Sequence, residues 1–431
     1  MRSLALLLFS FSALLAQTFR GNIAGVVQDA SGAAIPSATV KLESPATGLT
    51  RSTVTSSTGE FIFAELPVGK FTVIVSQPGF ETRRYENVEV AVSKTSNVVV
   101  ALGVAQQAST VEVSAQAVTL ETTSSALVGV VGPKLVADLP MNGRDFRQML
   151  KLSPGVSPAT SSVNGMRTSG NNYQIDGADN NDAFHNTSAV NQGGVSGIAG
   201  TLLPVEAIDQ FSVQTNASAE AGRNGGASVN LVIKSGTNDL HGSLYYFNRN
   251  EALAEPSPLQ AAGAKPRVVR SNQYGFSVGG PIIRNRTFFF ATGEAQKAIA
   301  ANSLAATVPS DAWVADARNI LGRYGVPVSQ VGLNSLAFWP ARGKSAPFGL
   351  NNFLSTDQND YDSYNGIIKI DHRFNDNHTI AGRYFGGTGK QAADAGSPYR
   401  EYFQVAPSLR PHVANPVPRT LTPRGVSQLL L

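Results

Sequence analysis

Cysteine, long apolar runs and clustered charge are what this sequence lacks. None of its 431 residues is cysteine, which excludes disulfides, thiol catalysis and cysteine metal sites. No apolar run reaches the roughly 20 residues that a membrane-spanning helix needs. Any membrane insertion must therefore use β-strands, because only helices and closed barrels satisfy their backbone groups in lipid.

Charge is sparse and evenly spread. Charged residues make up 15% of the chain, the formal net charge is +4, and no block of Lys and Arg occurs. Nucleic acid is not an expected partner, because phosphate binding needs a basic patch or stripe.

Catalytic arrangements are missing as well. The five histidines occur in no HxxxH, HExxH or triad-like spacing, and no nucleophile has a base beside it. We therefore expect no enzyme, no catalytic residue and no cofactor. These histidines are His185, His241, His372, His378 and His412.

The chain begins with a segment typical of export. Arg2 precedes an apolar stretch from Leu4 to Leu15, and the small residue Ala16 stands before polar residues. This pattern predicts a secretory signal peptide over residues 1–16.

Turn residues and alternating strands are abundant, which indicates a mainly β protein. The chain has 41 Gly and 23 Pro. Residues 20–104 show about seven short period-two strands separated by turn signals, which predict an Ig-like β-sandwich. The residues expected to face its core are Val40, Leu42, Phe61, Phe63, Phe71, Val73, Val75, Val88, Val90, Val92, Val98, Val100 and Leu102.

Residues 110–239 mix structure types and predict an α+β domain. Asn142 is placed to cap a helix whose apolar face is Phe146, Met149 and Leu150. Pro204 is placed to open a second helix. The extended runs of this domain are residues 110–114, 211–215 and 228–234.

From residue 240 to residue 431 the strands have one oily and one polar face. Leu240, Leu244 and Tyr246 alternate with polar or small residues. The oily positions of later strands are Tyr274, Phe276, Val278, Tyr364, Ile368, Ile370, Phe374, Ile380 and Tyr384.

Short and long connections alternate strictly between these strands. Residues 283–286 and 375–377 form tight turns, whereas residues 251–271, 297–362 and 387–419 form long loops. Outer-membrane barrels sort their loops in this way. We count about six strands, starting near Leu240, Asn272, Thr287, Tyr364, His378 and Thr420.

Six strands cannot close a barrel, since the smallest barrels of this kind use eight. We therefore expect residues 240–431 to be the first antiparallel strands of an incomplete outer-membrane β-barrel, in a chain truncated within that barrel.

Three segments resemble one family, the TonB-dependent outer-membrane receptors with an N-terminal carboxypeptidase-regulatory-like domain. GNIAGVVQDASGAAIPSATVKL (21–42) and TGEFIFAELPVGKFTVIVSQPGF (58–80) resemble the regulatory-like sandwich. LPMNGRDFRQMLKLSPGV (139–156) and NGMRTSGNNYQIDGADNND (164–182) resemble the plug, and residues 217–250 resemble its last strand running into the barrel.

The resemblance implies a receptor in the outer membrane of a diderm bacterium, in contact with outer-membrane lipid. A plug, here residues 110–239, fills its pore, and loops and plug apices bind an extracellular ligand. TonB and its inner-membrane complex supply the energy, and no chemistry on the ligand is implied. The ligand is left open among a saccharide, a peptide and a metal chelate.

The family's contact strand for TonB lies before the plug. The candidate here is Ser109, Thr110, Val111, Glu112 and Val113 (STVEV), although the first strand of the plug is the preferred interpretation of this segment. Glu220, Arg223 and Lys234 are the charges expected to hold the plug against the barrel wall; the alternative is surface charge on a soluble domain.

One acidic loop invites a metal hypothesis. Asp176, Asp179 and Asp182 offer the hard oxygen ligands that Ca²⁺ prefers. Their spacing is not that of an EF-hand, so we expect no metal site and predict turn capping instead.

The sequence therefore predicts a receptor that admits its ligand through a plugged barrel. The alternative is a secreted or periplasmic binding or adhesion protein built of β-modules, without a transport role. That alternative accounts for the sandwich and the long polar loops but not for the sorted loop lengths.

Overall fold

The computed structural model describes most of the chain in a set of ranges. They are residues 20–104, 110–114, 128–139, 141–158, 160–182, 185–186, 188–189, 202–216, 225–253, 255, 268–301, 304–339, 341–355, 358–376, 378–391, 408–409, 412–422 and 425–428. The predicted signal peptide, residues 1–16, lies outside the described residues.

The N-terminal unit is the predicted β-sandwich. One sheet has the order β4-β1-β7 and the other the order β3-β2-β5-β6, extended by one further strand. All the residues predicted to face the core are buried, and all but Val92 pack into the apolar core of the sandwich, which confirms the period-two assignment for those residues. Val92 packs against Val232 outside the sandwich. The strands are β1 (Gly21–Asp29), β2 (Thr39–Glu43), β3 (Thr50–Val54), β4 (Glu60–Leu66), β5 (Gly69–Ser76), β6 (Thr82–Val90) and β7 (Thr95–Leu102).

The further strand of the second sheet is β8 (Thr110–Ser114), and it is the outermost strand on that side. It pairs in parallel with β6, from Thr82 opposite Thr110 to Glu86 opposite Ser114. The preferred prediction made this segment the first strand of the next domain, and the structure contradicts that prediction. Parallel partners have no hairpin between them, so no local signal in the sequence marks the pairing.

The second unit, here called the central domain, comprises the described residues between 128 and 236. Its mixed sheet has the order β11-β10-β13-β12-β9, and the middle strand β13 is buried at every position. Its elements are β9 (Val128–Val131), α1 (Pro133–Asp138), β10 (Asn172–Ile175), β11 (Ala178–Asp179), β12 (Ile208–Gln214) and β13 (Ser228–Ile233).

The first predicted helix of this domain is a 3₁₀ helix, Phe146–Leu152. Its apolar face is buried as predicted, but its cap is Asp145, whose side chain accepts a hydrogen bond from the Arg147 amide, and not Asn142. Gly143 has a φ of 71°, which separates Asn142 from the helix that follows.

The second predicted helix is a single 3₁₀ turn, Val205–Ala207, followed at once by β12. The strand pairs with both β9 and β13. Two ladders of backbone hydrogen bonds outweigh the weak helical signal of one proline, because local propensity is readily overridden by tertiary context.

The third unit is a large antiparallel sheet with the order β14-β15-β16-β19-β20-β22-β23, in which β21 also pairs with β20. Its strands, with the short pair β17 and β18 of one connection, are β14 (His241–Asn250), β15 (Val269–Ile283), β16 (Thr287–Ala301), β17 (Leu304–Ala306), β18 (Phe353–Ser355), β19 (Gln358–Arg373), β20 (His378–Gln391), β21 (Ser408–Leu409), β22 (His412–Thr422) and β23 (Gly425–Gln428).

The six predicted strands are all present, but the sixth begins at His412 and not near Thr420. Pro416 and Pro418 lie within it, opposite Gly382 and Ile380 of β20. Proline argues against a strand in sequence because it lacks an N–H, so the pattern here predicted a loop.

The two faces of the large sheet have opposite character. Large apolar side chains stand exposed on one face, with Leu244 87% and Ile368 53% exposed. The other face buries polar side chains against the central domain, namely Thr292, Glu294, Gln296, Ser363, Asn365 and Lys369. This arrangement is the reverse of a water-soluble sheet and is typical of a barrel wall that meets lipid outside.

The long connection between β16 and β19 holds structure of its own. It carries β17 paired with β18 and two helices, α2 (Asp311–Arg323) and α3 (Gln330–Ser335), each capped by a serine. Trp313 of α2 stacks on Phe348 with ring centroids 4.5 Å apart. Within the described ranges, no helix has both the length and the hydropathy that crossing a membrane requires.

Candidate functional site

A buried carboxylate of the central domain contacts the large sheet. Asp176 follows β10 and has a φ of 48°, a conformation that non-glycine residues seldom adopt. Its Oδ1 accepts a hydrogen bond from the Ile233 amide at 2.9 Å. Its Oδ2 lies 3.0 Å from Nη1 of Arg383 and 3.4 Å from Nζ of Lys369.

The two cations belong to neighbouring strands of the large sheet. Lys369 of β19 lies directly opposite Arg383 of β20 in the register. Like charges in this position repel each other. Asp176 offsets that repulsion, and Lys369 Nζ also donates to the carbonyl of Ile233 at 2.9 Å. The sheet therefore presents a paired cation site that a carboxylate of the central domain fills.

A second contact is built around Arg144 of the central domain. Its guanidinium donates to Glu206 at 2.9 Å and lies over the Phe247 ring of β14, 3.9 Å from the centroid. Tyr245 on the same face of β14 donates through its hydroxyl to Glu294 at 2.9 Å. The Arg144 cation, paired with Glu206 and placed over an aromatic ring of β14, anchors the central domain at a second point on the sheet.

None of the three charges predicted to make this contact is seen to make it in the described residues. Glu220 and Arg223 lie outside the described residues. Lys234 lies 4.0 Å from Glu206 within the central domain, and in the described part of the chain it forms no ion pair with the large sheet. The contact that does occur, from Asp176 to Lys369 and Arg383, was missed by the sequence analysis.

The sequence did contain a signal that could have pointed to these missed residues. Asp176 lies in the plug-like segment, and Lys369 and Arg383 stand on the polar side of amphipathic strands. A charge on the inner face of a barrel strand needs a partner because it is shielded from water. Nothing in the sequence shows which of the many acidic residues is that partner.

Asp209 on β12 is a further carboxylate near this site. Burial raises its pKa, and the charges of Lys234 and Lys369 oppose that change. An acid in this environment is costly to ionise.

The three aspartates of the calcium hypothesis have other roles. Asp176 is engaged by two cations, the side chain of Asp179 accepts from the Asn181 amide at 2.9 Å, and that of Asp182 accepts from the His185 amide at 2.7 Å. In the described residues, no group of three or more His, Cys, Asp or Glu side chains is placed to hold a metal ion. Asp179 and Asp182 cap turns, in line with the preferred prediction.

The candidate TonB contact strand lies partly within the described residues. Ser109 lies outside them, whereas Thr110 to Val113 form most of β8 at the edge of the sandwich sheet. The segment is therefore a β-strand held by the N-terminal unit.

Comparisons with known proteins identify two domains. Residues 22–103 match the family model of the carboxypeptidase regulatory-like domain. Residues 232–426 match the family model of the outer membrane beta barrel domain. The first match covers the sandwich, and the second covers the large sheet.

One curated relative is the TonB-dependent transporter Oar of Myxococcus xanthus. It is 24% identical to this chain over an alignment of 259 residues, and the alignment covers 56% of this chain and 23% of Oar. The chain thus matches less than a quarter of the length of that relative.

Two solved receptors are similar over 70% of this chain. One is the ferric enterobactin receptor PfeA of Pseudomonas aeruginosa, with 13% identity, 39% of the receptor covered and a TM-score of 0.44. The other is the siderophore receptor PirA of Acinetobacter baumannii, with 16% identity, 39% covered and a TM-score of 0.42.

Proposed function

We propose that this chain, a TonB-dependent outer-membrane receptor with an N-terminal carboxypeptidase regulatory-like domain, binds an extracellular ligand and admits it through a barrel closed by its own plug. The matched barrel domain and the transporter relative indicate the outer membrane of a Gram-negative bacterium. In this proposal the central domain is the plug, and the large sheet is part of the barrel wall.

The observation that carries the proposal is the pairing of Asp176 with Lys369 and Arg383. A wall with an apolar outer face and a charged inner face needs a polar occupant inside. The central domain supplies it through a carboxylate, a carbonyl and the Arg144 guanidinium. Polar contacts of this kind can be replaced by contacts to water, so this part of the interface can separate, whereas Phe290, Ile367 and Phe385 of the wall pack into the apolar cluster of the central domain.

Energy would come from TonB and its inner-membrane complex. Residues 109–113 are our candidate contact strand, and β8 is the outermost strand of its sheet among the described strands. An outer strand presents unpaired backbone groups to which a partner strand can add. This position of β8 supports residues 109–113 as the candidate.

No chemistry on the ligand is proposed. The matched relative is named as a transporter. A saccharide, a peptide and a metal chelate are the three ligand classes to be tried. The alternative of a secreted adhesion protein gains no support, because the large sheet matches a membrane barrel domain.

A growth panel tests the proposal. The panel compares cells with and without the full-length protein, in backgrounds with and without TonB. Each culture receives a saccharide, a peptide or a ferric chelate as its sole source of carbon, nitrogen or iron, respectively. We expect one class to support growth only when both proteins are present, and its surface binding to persist without TonB. A soluble periplasmic protein, or growth independent of both proteins, would contradict the proposal.

A further inference from the structure

The sandwich contacts the surface of the central domain that carries Gln210 and Val232, here called its underside. The Val92 amide donates to the side-chain oxygen of Gln210 at 2.9 Å, and Val92 forms a small apolar cluster with Val232. The amide of Asn238 donates to the carbonyl of Ala46 at 2.8 Å. These contacts reach both β12, which carries Gln210, and the link from the central domain to the large sheet.

The sandwich also touches the wall, at the turn between β15 and β16. Arg373 at the end of β19 donates to the carbonyl of Gly48 at 3.1 Å and to that of Asn285 at 2.6 Å. One guanidinium therefore joins a loop of the sandwich to a short turn of the large sheet. Short turns lie on the periplasmic side of outer-membrane barrels.

Three carboxylates act on one cation, Arg20, at this junction. Burial lowers the pKa of Arg20, and the charges of Glu65, Asp371 and Asp176 oppose that change. Glu65 belongs to the sandwich, Asp371 to the wall and Asp176 to the central domain. All three units therefore place a carboxylate near this one cation.

The three units enclose a cavity of about 570 Å³. Sandwich loops 44–47 and 67–71 form one side, and Asp209 and Lys234 of the central domain face them. Lys369 and Arg383 of the wall also line it. The docked sandwich thus covers the charged underside of the proposed plug, including the ion pairs that hold it.

We propose that the sandwich is a clamp, docked on the periplasmic side, which holds the plug in the wall and has to undock before the plug can move. The releasing role of the clamp rests on the proposed function, since only a receptor has a plug to release. Its docking is a property of this chain alone and is tested without any ligand.

A disulfide tests the docked position. A Cβ added at Gly48 would lie 3.2 Å from Cβ of Asn285, close to the spacing of about 3.5–4.5 Å in disulfides. The chain has no other cysteine, so Gly48→Cys with Asn285→Cys gives one possible bridge. We expect the full-length protein to cross-link in cells without added oxidant.

Gly32→Cys with Asn285→Cys is the matched control, because Gly32 is also a turn glycine with positive φ and its added Cβ meets nothing within 4 Å. It should stay reduced. Because Gly48 has a φ of 64° and cysteine is strained there, Ala46→Cys with Asn238→Cys serves as a second pair. Failure of both pairs to cross-link in folded outer-membrane protein overturns the clamp.

Thiol labelling tests what the clamp covers. Asp209→Cys places one thiol in the cavity, and the rate of its reaction with a polyethylene-glycol maleimide is measured on the purified full-length protein. Arg373→Ala, which removes the link to Gly48, should raise that rate about tenfold, equivalent to about 1.4 kcal/mol of docking energy. Arg284→Ala, an exposed arginine of the same turn, should leave it unchanged.

Equal labelling in the Arg373→Ala and Arg284→Ala backgrounds overturns the clamp. Neither experiment measures uptake, so such a result leaves the proposed receptor function standing. Growth that does not depend on TonB would contradict the receptor function instead. It would leave the docking of the sandwich unaffected.

Discussion

At the scale of single residues, Asp176 joins three segments that are far apart in the chain. It binds the amide of Ile233 and the cations Lys369 and Arg383, and all of these groups are shielded from water. A buried carboxylate between two cations stabilises the folded state only while every partner is present. Removal of the carboxylate charge leaves two opposed cations without a counter-charge.

Asp176→Asn should therefore destabilise the folded protein by about 3–5 kcal/mol, the usual cost of breaking a buried pair. The measurement is the free energy of unfolding in urea. Asp179→Asn, at an exposed aspartate of the next strand β11, is the matched control and should change it by less than about 0.5 kcal/mol. Similar losses in both variants would show that Asp176 has no special role.

Asp209 predicts a pH dependence. Its pKa is raised by burial, so the folded protein holds this proton more tightly than the unfolded chain. Its contribution to stability is therefore most favourable below the unfolded pKa of about 3.9 and is lost as the pH rises through the folded value. At neutral pH the full cost of burying the charge remains.

Asp209→Asn removes that cost. Relative to the natural protein, the variant should have a higher thermal unfolding midpoint near neutral pH, and the difference should shrink as the pH falls toward about 4. A difference that stays constant between these two pH values would contradict the assignment.

Residue partners were the least predictable part of this site. Lys369 and Arg383 were assigned correctly to the polar face of their strands, but Asp176 lies far from them in sequence, 207 residues before Arg383. Lys234, which was expected to reach the wall, lies beside Glu206 instead. Which charges pair is decided by how two domains dock, and alternation along one strand carries no information about that.

At the scale of elements, the strands followed from the sequence wherever one face was consistently apolar. The period of two fixes which residues share a face, and the sandwich core and the wall were both assigned correctly in this way. The errors have identifiable causes: prolines within β22 concealed that strand, and pairing with two neighbours limited the helix expected after Pro204 to one 3₁₀ turn and made β12, expected from residue 211, begin at Ile208.

At Gly236 the central domain lies close against the backbone of the wall. A Cβ added there would lie 2.3 Å from the carbonyl oxygen of Phe289 and 2.5 Å from that of Gly280. Gly236→Ala should therefore force the backbones apart and lower the urea midpoint by an amount equivalent to about 1–3 kcal/mol. Gly382→Ala, where nothing lies within 4 Å, is the control and should have little effect.

The exposed face of β19 predicts a lipid contact. Ile368 is 53% exposed, and Ile62 of the sandwich, also on a strand, is 61% exposed. Ile368→Lys should lower the amount of folded protein in outer membranes, because lysine near the bilayer midplane costs about 2–4 kcal/mol. Ile62→Lys should leave that amount unchanged. Equal effects would argue against lipid around β19.

At the scale of the whole molecule, three units of different character meet at one junction. The sandwich has an apolar core of its own, the central domain shares one apolar cluster with Phe290, Ile367 and Phe385 of the large sheet, and the large sheet is apolar outside and mostly polar within. Composition and loop lengths predicted this order of units. They did not predict that the sandwich covers the central domain, because that contact depends on a few loop residues.

The central claim is that the large sheet is a membrane wall around a plug, and cysteine scanning of β19 tests it most directly. Single cysteines in the otherwise cysteine-free, full-length protein are coupled to a fluorophore and quenched by nitroxide lipids. We predict strong quenching at positions 364, 368 and 370 and weak quenching at positions 363, 365 and 367, which face the central domain. Weak quenching at all six positions, with free labelling from water at the exposed ones, would contradict the account.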